Sequence, residues 1–171
     1  MYYSSEQISK IADRVVSQCG SRDPELIIKR LGINIIPCNF SVQKGAYKVV
    51  LRERFIFINN GLPPVIKRIV LLHELGHDSL HRAQAQKGTA FQEFDLFSMQ
   101  NNRMEYEANI FAADVSLPDN EILDYISEGA SSADIAAFMD SDINLVALKV
   151  SQLKKRGYNI RELEYRSDYL N

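Results

Sequence analysis

Residues 63–82, PPVIKRIVLLHELGHDSLHR, are the stretch around which the rest of the chain is organised. Two prolines begin it, and proline suits the first turn of a helix because no hydrogen bond there needs its missing amide hydrogen. The first half is apolar on almost every side, which predicts a buried central helix, through Val65, Ile66, Ile69, Val70 and Leu72. The second half holds all 3 histidines of the chain.

The spacing His-Glu-x-x-His at residues 73–77 predicts a metal site. His73 and His77 lie about 40° and 6 Å apart on a helix, so both imidazoles can reach one tetrahedral ion. Glu74 lies beside them, where its carboxylate can take a proton from a water molecule that the ion has made acidic. Such short patterns also arise by chance, but burying two histidines and a glutamate without a partner is costly. The motif is typical of zinc peptidases, although manganese or iron would accept the same ligands. Gly76 lies between the base and the second ligand, where a second backbone can approach closely.

A catalytic zinc ion usually has three protein ligands, so this helix leaves one to be found. The candidates are His81, Asp95, Glu105 and Glu107. His81 continues the four-residue series, but its ring lies about one turn too far along the axis to reach the same ion.

We therefore expect the third ligand on a second helix, RMEYEANIFAADVSL, at residues 103–117. Glu105 and Glu107 are separated by about 200° around such a helix, so only one of them can face the metal. We favour Glu105, because Asn109 follows one turn later and could hydrogen-bond a histidine ligand without itself touching the metal. Glu107 then belongs to the outer face as a solvated charge.

The remaining segments predict an α+β fold, mostly helical with a small antiparallel sheet. A first helix is capped by Ser4 or Ser5, and a second begins at Asp23 and Pro24 and stops at Gly32. INIIP at 33–37 predicts a strand, and GAYKVVLRERFIFINN at 45–60 a β-hairpin. Residues 83–101 predict a loop with one short strand near FDLFSM. Pro118 ends the second site helix, and shorter helices follow at 119–128, 132–139 and 143–156.

Composition restricts the class of protein. The chain has 171 residues, a net charge of −2 and 2 cysteines, Cys19 and Cys38, which we expect to be reduced. No stretch has the pattern of a signal peptide or the length of a membrane span, so we expect a cytoplasmic protein. The negative charge argues against general attraction to nucleic acid.

Two motifs in this order, HELGHDSLH at 73–81 and EYEANIFAADVSLP at 105–118, resemble those of the ImmA/IrrE family of zinc metallopeptidases. The resemblance implies a minimal zincin-like fold of the gluzincin type at residues 1–118, followed by a C-terminal helical subdomain at 119–171. It implies Zn²⁺ on His73, His77 and Glu105, with Glu74 as general base. One departure is Asp114 and Ser116, where the family usually has apolar residues before its proline.

The same resemblance implies a function. The family's usual substrates are helix-turn-helix repressors of prophages and mobile elements, or related stress regulators, and cleavage lifts repression. The strand around AYKVV, at 46–50, would border the cleft, where an extended substrate could add as a β-strand. Tyr47 and His81 are weak candidates to assist the developing oxyanion, and structural roles suit both better.

Two other functions stay open from the sequence. A zincin scaffold could bind and sequester the repressor without cutting it. The C-terminal helices faintly resemble a helix-turn-helix ending in Lys154, Lys155 and Arg156, which would make the chain a DNA-binding regulator. Ordinary helical pairs also place cations at their C-termini, so docking of a repressor there is a better use than direct DNA contact.

Overall fold

The computed structural model describes residues 2–87, 91–93 and 103–160. Its described elements are helices α1 Ser5–Cys19, α2 Pro24–Arg30, α3 Pro64–Gln86, α4 Arg103–Ser116, α5 Asp119–Ser127, α6 Ser132–Phe138 and α7 Ile143–Lys155, with strands β1 Asn34–Cys38, β2 Gly45–Val50, β3 Glu53–Asn59 and β4 Phe91–Glu93. The predicted α+β class is confirmed. The FDLFSM segment and Asp95 lie outside the described residues.

The first two helices begin, and the second helix ends, where the capping residues predict. The Ser4 hydroxyl accepts from the Gln7 amide, and the Gln7 side chain accepts from the Ser4 amide, which is a reciprocal capping box. Asp23 caps α2 ahead of Pro24. Gly32 follows α2 with a φ of 67°, a left-handed conformation that glycine adopts without steric cost.

The sheet has the order β1-β3-β2-β4 and is mixed rather than wholly antiparallel. β2 and β3 form the predicted hairpin, whose turn residues Leu51 and Arg52 have φ values of 51° and 70°. β1 pairs in parallel with β3, which the sequence prediction missed. The chain reverses between β1 and β2 and again between β2 and β3. β1 therefore points along β3, and β3 lies between the two earlier strands.

Helix α3 is the centre of the molecule, as its apolar first half predicts. It packs against α4 and α2 and against one face of β2 and β3. Its buried aliphatic residues are Ile69, Val70, Leu71, Leu72, Leu75 and Leu80. Helix α4 is covered on one side by α3 and on others by α1 and α7. Both faces of α4 therefore lie inside the protein.

The helices after Pro118 are joined to α4 by buried charges. Lys149 is 1% exposed and its ammonium lies 2.6 Å from Asp114 and 2.5 Å from Asp119. Arg156 also pairs with both carboxylates. Burial raises the pKa of Asp114. A division into 1–118 and 119–171 stays a prediction.

Within the described residues, no helix combines the length and apolarity needed to cross a membrane. Cys19 and Cys38 are both free thiols.

Candidate metal centre

Three side chains from α3 and α4 converge on one point. His73 Nε2 and His77 Nε2 lie 3.0 Å and 3.1 Å from Glu105 Oε2, and the two nitrogens lie 3.1 Å apart. Four-coordinate zinc with ligand distances of about 2.0–2.1 Å places its ligand atoms about 3.3 Å apart. The triangle is close to that size, so the three residues fit one metal ion. They are the cluster of histidine and carboxylate ligands found among the described residues.

The electrostatics of this cluster suit a cation. Burial lowers the pKa of His77 to about 3, so the ring is neutral and keeps a lone pair. Burial raises the pKa of Glu105, but its close contacts with the rings of His73 and His77 lower it more, and the net pKa lies well below its usual range. Neutral imidazoles and an ionised carboxylate are the forms in which these groups bind metals.

Asn109 orients the first histidine. Its Oδ1 lies 2.8 Å from His73 Nδ1, and an amide oxygen can only accept, so His73 carries its proton on Nδ1. The Nε2 atom of His73 then offers its lone pair to the cluster. The sequence placed Asn109 beside a histidine of the site, and the structure shows that contact.

Glu74 is fully buried one residue after His73, and β2 passes close to it. A Cβ at Gly45 would lie 2.7 Å from Glu74 Oε1 and 2.6 Å from Val70 Cγ1, so a larger residue would displace these side chains. The start of β2 therefore borders the site, as expected. However, β4 pairs with Gly45–Tyr47, so an incoming substrate strand cannot pair with those three residues.

Gly76 allows α3 and α4 to approach closely. A Cβ there would lie 3.0 Å from Ala108 Cα and 3.1 Å from Ala108 O, which is tighter than ordinary van der Waals contact. The predicted close backbone approach at Gly76 is therefore confirmed. It holds the histidines of α3 against Glu105 of α4.

Glu107 is the residue that the sequence analysis placed wrongly. It is 1% exposed rather than solvated, and its Oε2 lies 3.1 Å from His81 Nε2. The error came from assuming that the face of α4 opposite Glu105 meets water, whereas α1 covers it. Ile110 and Phe111, about one turn beyond Glu107, are apolar and buried, and this pattern could have revealed the second buried face.

His81 and Tyr47 do not point at the metal cluster. His81 Nδ1 lies 3.1 Å from His77 Nδ1, on the side of the ring away from the cluster. The Tyr47 hydroxyl donates to Asp78 Oδ1 at 2.7 Å, and burial together with Asp78 raises its pKa. Asp78 also accepts from Arg54 and Arg82, so this group joins the hairpin to α3.

Sequence comparisons agree with this geometry. The family model described as the IrrE N-terminal-like domain, peptidase M78, matches residues 28–151. "Uncharacterized immunity region protein 2" of Bacillus phage phi105 is 33% identical over 150 residues, which is 86% of this chain and 92% of that protein. Metallopeptidase ImmA of Bacillus subtilis (strain 168) is 32% identical over 104 residues, or 59% of this chain and 57% of that protein. The chain therefore belongs to the ImmA/IrrE family of metallopeptidases.

Proposed function

We propose that this protein is a zinc-dependent endopeptidase that cleaves a helix-turn-helix transcriptional repressor and so lifts repression of a prophage, mobile element or stress regulon. The observation that carries the proposal is the triangle of His73, His77 and Glu105, with buried Glu74 one residue along the same helix. Two neutral nitrogens and a carboxylate oxygen form a donor set that zinc accepts.

In this proposal each residue has one task. His73, His77 and Glu105 would hold the ion, which would supply Lewis acidity to the scissile carbonyl and to water. Glu74 would accept a proton from the water whose oxygen bonds to the carbonyl carbon, and would pass that proton to the amine nitrogen as the C–N bond breaks. Glu74 is fully buried, and low-dielectric surroundings strengthen the interaction of its charge with the reacting groups.

The substrate strand would pair at the edge of the sheet formed by β4. Among the described residues β4 is the outermost strand on that side, and its Phe91 ring stacks on His77 with centroids 4.1 Å apart. An extended segment that pairs with β4 would therefore run beside the metal cluster. Main-chain hydrogen bonds of this kind bind a peptide with little dependence on its sequence.

A repressor is the proposed substrate because the family resemblance implies one and because a relative is named for a phage immunity region. Such a repressor works on DNA inside the cell, and we accordingly place the activity in the cytoplasm. The net charge of −2 favours a protein partner over DNA.

The test compares wild type with Glu74→Gln, using the repressor encoded beside this protein. Each purified protein is analysed for zinc and incubated with the repressor, and repressor fragments are measured by mass spectrometry. Glu6→Gln, at an exposed position in the first turn of α1, is the matched control. We expect zinc in all three proteins, and cleavage by wild type and Glu6→Gln but not by Glu74→Gln.

The other functions give different results. If the protein acts by sequestration, the Glu74→Gln variant would still relieve repression, and the repressor would stay uncut. A DNA-binding regulator would shift DNA mobility at low salt, with an affinity that falls steeply as salt rises. If the wild-type protein contains no zinc and does not cleave the repressor, the proposed enzymatic function is refuted.

A further inference from the structure

A chain of buried polar groups leads away from the metal cluster behind His77. His77 Nδ1 lies 3.1 Å from His81 Nδ1, and His81 Nε2 lies 3.1 Å from Glu107 Oε2. The other oxygen of Glu107 accepts from the Tyr3 amide at 3.0 Å and from Arg103 Nε at 3.1 Å. Both imidazoles are fully buried, and Glu107 is 1% exposed. The chain therefore joins a candidate metal ligand to the N-terminal segment and to the start of α4.

The end of the chain fixes the direction of every hydrogen bond in it. Glu107 Oε1 accepts from two N–H donors, and a carboxylate can only accept. His81 Nε2 must therefore donate to Glu107 Oε2. A neutral imidazole has one N–H group, and His81 uses it at Nε2, so its Nδ1 carries a lone pair.

The contact between the two Nδ1 atoms needs one donor, and the lone pair on His81 leaves that role to His77. His77 therefore carries its proton on Nδ1, and its Nε2 has the lone pair. This Nε2 is the atom that lies 3.1 Å from both His73 Nε2 and Glu105 Oε2. The tautomer set by Glu107 is the one that a metal ligand requires.

We propose that His81 and Glu107 are positioning residues that fix the tautomer and ring orientation of His77 for metal binding. The inference rests on the proposed role of His77 as a metal ligand. His73 has its tautomer fixed in one step by Asn109, whereas His77 has it fixed in two steps by a neutral histidine and a buried carboxylate. Phe91 packs against both rings, with centroids 4.1 Å from His77 and 5.8 Å from His81, and restricts their rotation.

We call the hydrogen-bond chain from Glu107 through His81 to His77 the relay. Glu107→Gln tests it with almost no change in the shape of the side chain. The amide oxygen of the new side chain would face the two donors, Tyr3 N–H and Arg103 Nε, because an amide NH₂ there would oppose them. Its NH₂ group would then face His81 Nε2 and require it to accept. His81 would carry its proton on Nδ1 and donate to His77, which would place the His77 proton on Nε2.

Two measurements follow. The matched control is Glu121→Gln, because Glu121 is exposed on α5. Zinc affinity of the metal-free protein is measured by competition with a chromophoric chelator, and we expect it to fall about 10- to 100-fold in Glu107→Gln only. Long-range ¹H–¹⁵N spectra of ¹⁵N-histidine-labelled protein report the tautomers. Three histidines make the spectrum simple. We expect His81 protonated on Nε2 in wild type and on Nδ1 in Glu107→Gln.

The relay is overturned if wild-type His81 carries its proton on Nδ1, or if Glu107→Gln leaves either the His81 tautomer or the zinc affinity unchanged. If Glu107→Gln does not fold, the wild-type spectrum alone decides. A wild-type protein that binds no zinc would instead refute the proposed function. If wild type and Glu107→Gln bind zinc with equal affinity, only the relay is refuted.

Discussion

Replacing Gly76 with alanine should damage the metal site through the backbone. The new Cβ would lie 3.0 Å from Ala108 Cα, 3.1 Å from Ala108 O and 3.3 Å from Ala108 Cβ. Carbon atoms in ordinary contact are about 3.5–4.0 Å apart, so α3 and α4 must separate by a few tenths of an ångström. Backbone atoms of a packed helix cannot rotate away, unlike the end of a side chain.

The effect on metal binding should exceed the effect on folding. Overpacking costs about 1–3 kcal/mol, and replacing glycine inside a helix returns about 1 kcal/mol, so the net loss is about 0–2 kcal/mol. Metal ligands tolerate displacements of about 0.2 Å. Since His73 and His77 lie on one helix and Glu105 on the other, zinc affinity should fall at least about tenfold.

The assay pairs chelator competition for zinc with thermal unfolding of the metal-free protein. Gly61→Ala is the control, because a Cβ there meets only Asn59 Oδ1 at 3.5 Å. Adding Ala108→Gly to Gly76→Ala should not restore affinity, because the contacts with Ala108 Cα and O remain. Zinc affinity within twofold of wild type, with an unchanged or higher Tm, would refute the reasoning.

Two further predictions concern the base and the buried histidines. Gly45→Ala places a methyl group 2.7 Å from Glu74 Oε1 and should displace this carboxylate. We expect repressor cleavage to slow at least about tenfold while the zinc content stays the same. Cleavage at the wild-type rate would contradict this prediction. Burial lowers the pKa of His77 from 6.5 to about 3, so below pH 6.5 the unfolded chain takes up a proton that the folded chain does not. Urea unfolding of the metal-free protein should therefore show stability falling between pH 7 and pH 5, by about 2 kcal/mol for this residue, and equal stabilities at both pH values would count against it.

The parts of the fold that could be predicted depend on local signals. Ser4, Asp23 and Gly32 mark helix ends through interactions with residues a few positions away. The β2–β3 hairpin is local for the same reason. The parallel pairing of β1 with β3 is not, because it depends on which edge of the hairpin the earlier strand joins.

The metal cluster was predictable because ideal helix geometry constrains it strongly. Spacing of four residues places His73 and His77 on one face of α3. Asn109 lies one turn beyond Glu105 on α4, and this relation distinguishes Glu105 from Glu107 as the proposed ligand. The covering of α4 was not predictable in this way. Whether a helix face meets water or another helix depends on tertiary packing, here the contact with α1.

The same geometry that favours Glu105 as the proposed ligand also explains why Glu107 was misplaced. About 200° separates the two carboxylates on α4, so only one can face the cluster, and that deduction agrees with the structure. It does not follow that the other meets solvent. The backbone of α3 departs from helical values at His81, with φ −123° and ψ 16°, so the histidine that contacts Glu107 does not continue the helix of His73 and His77. The two glutamates therefore hold different histidines, Glu105 at the metal cluster and Glu107 behind it.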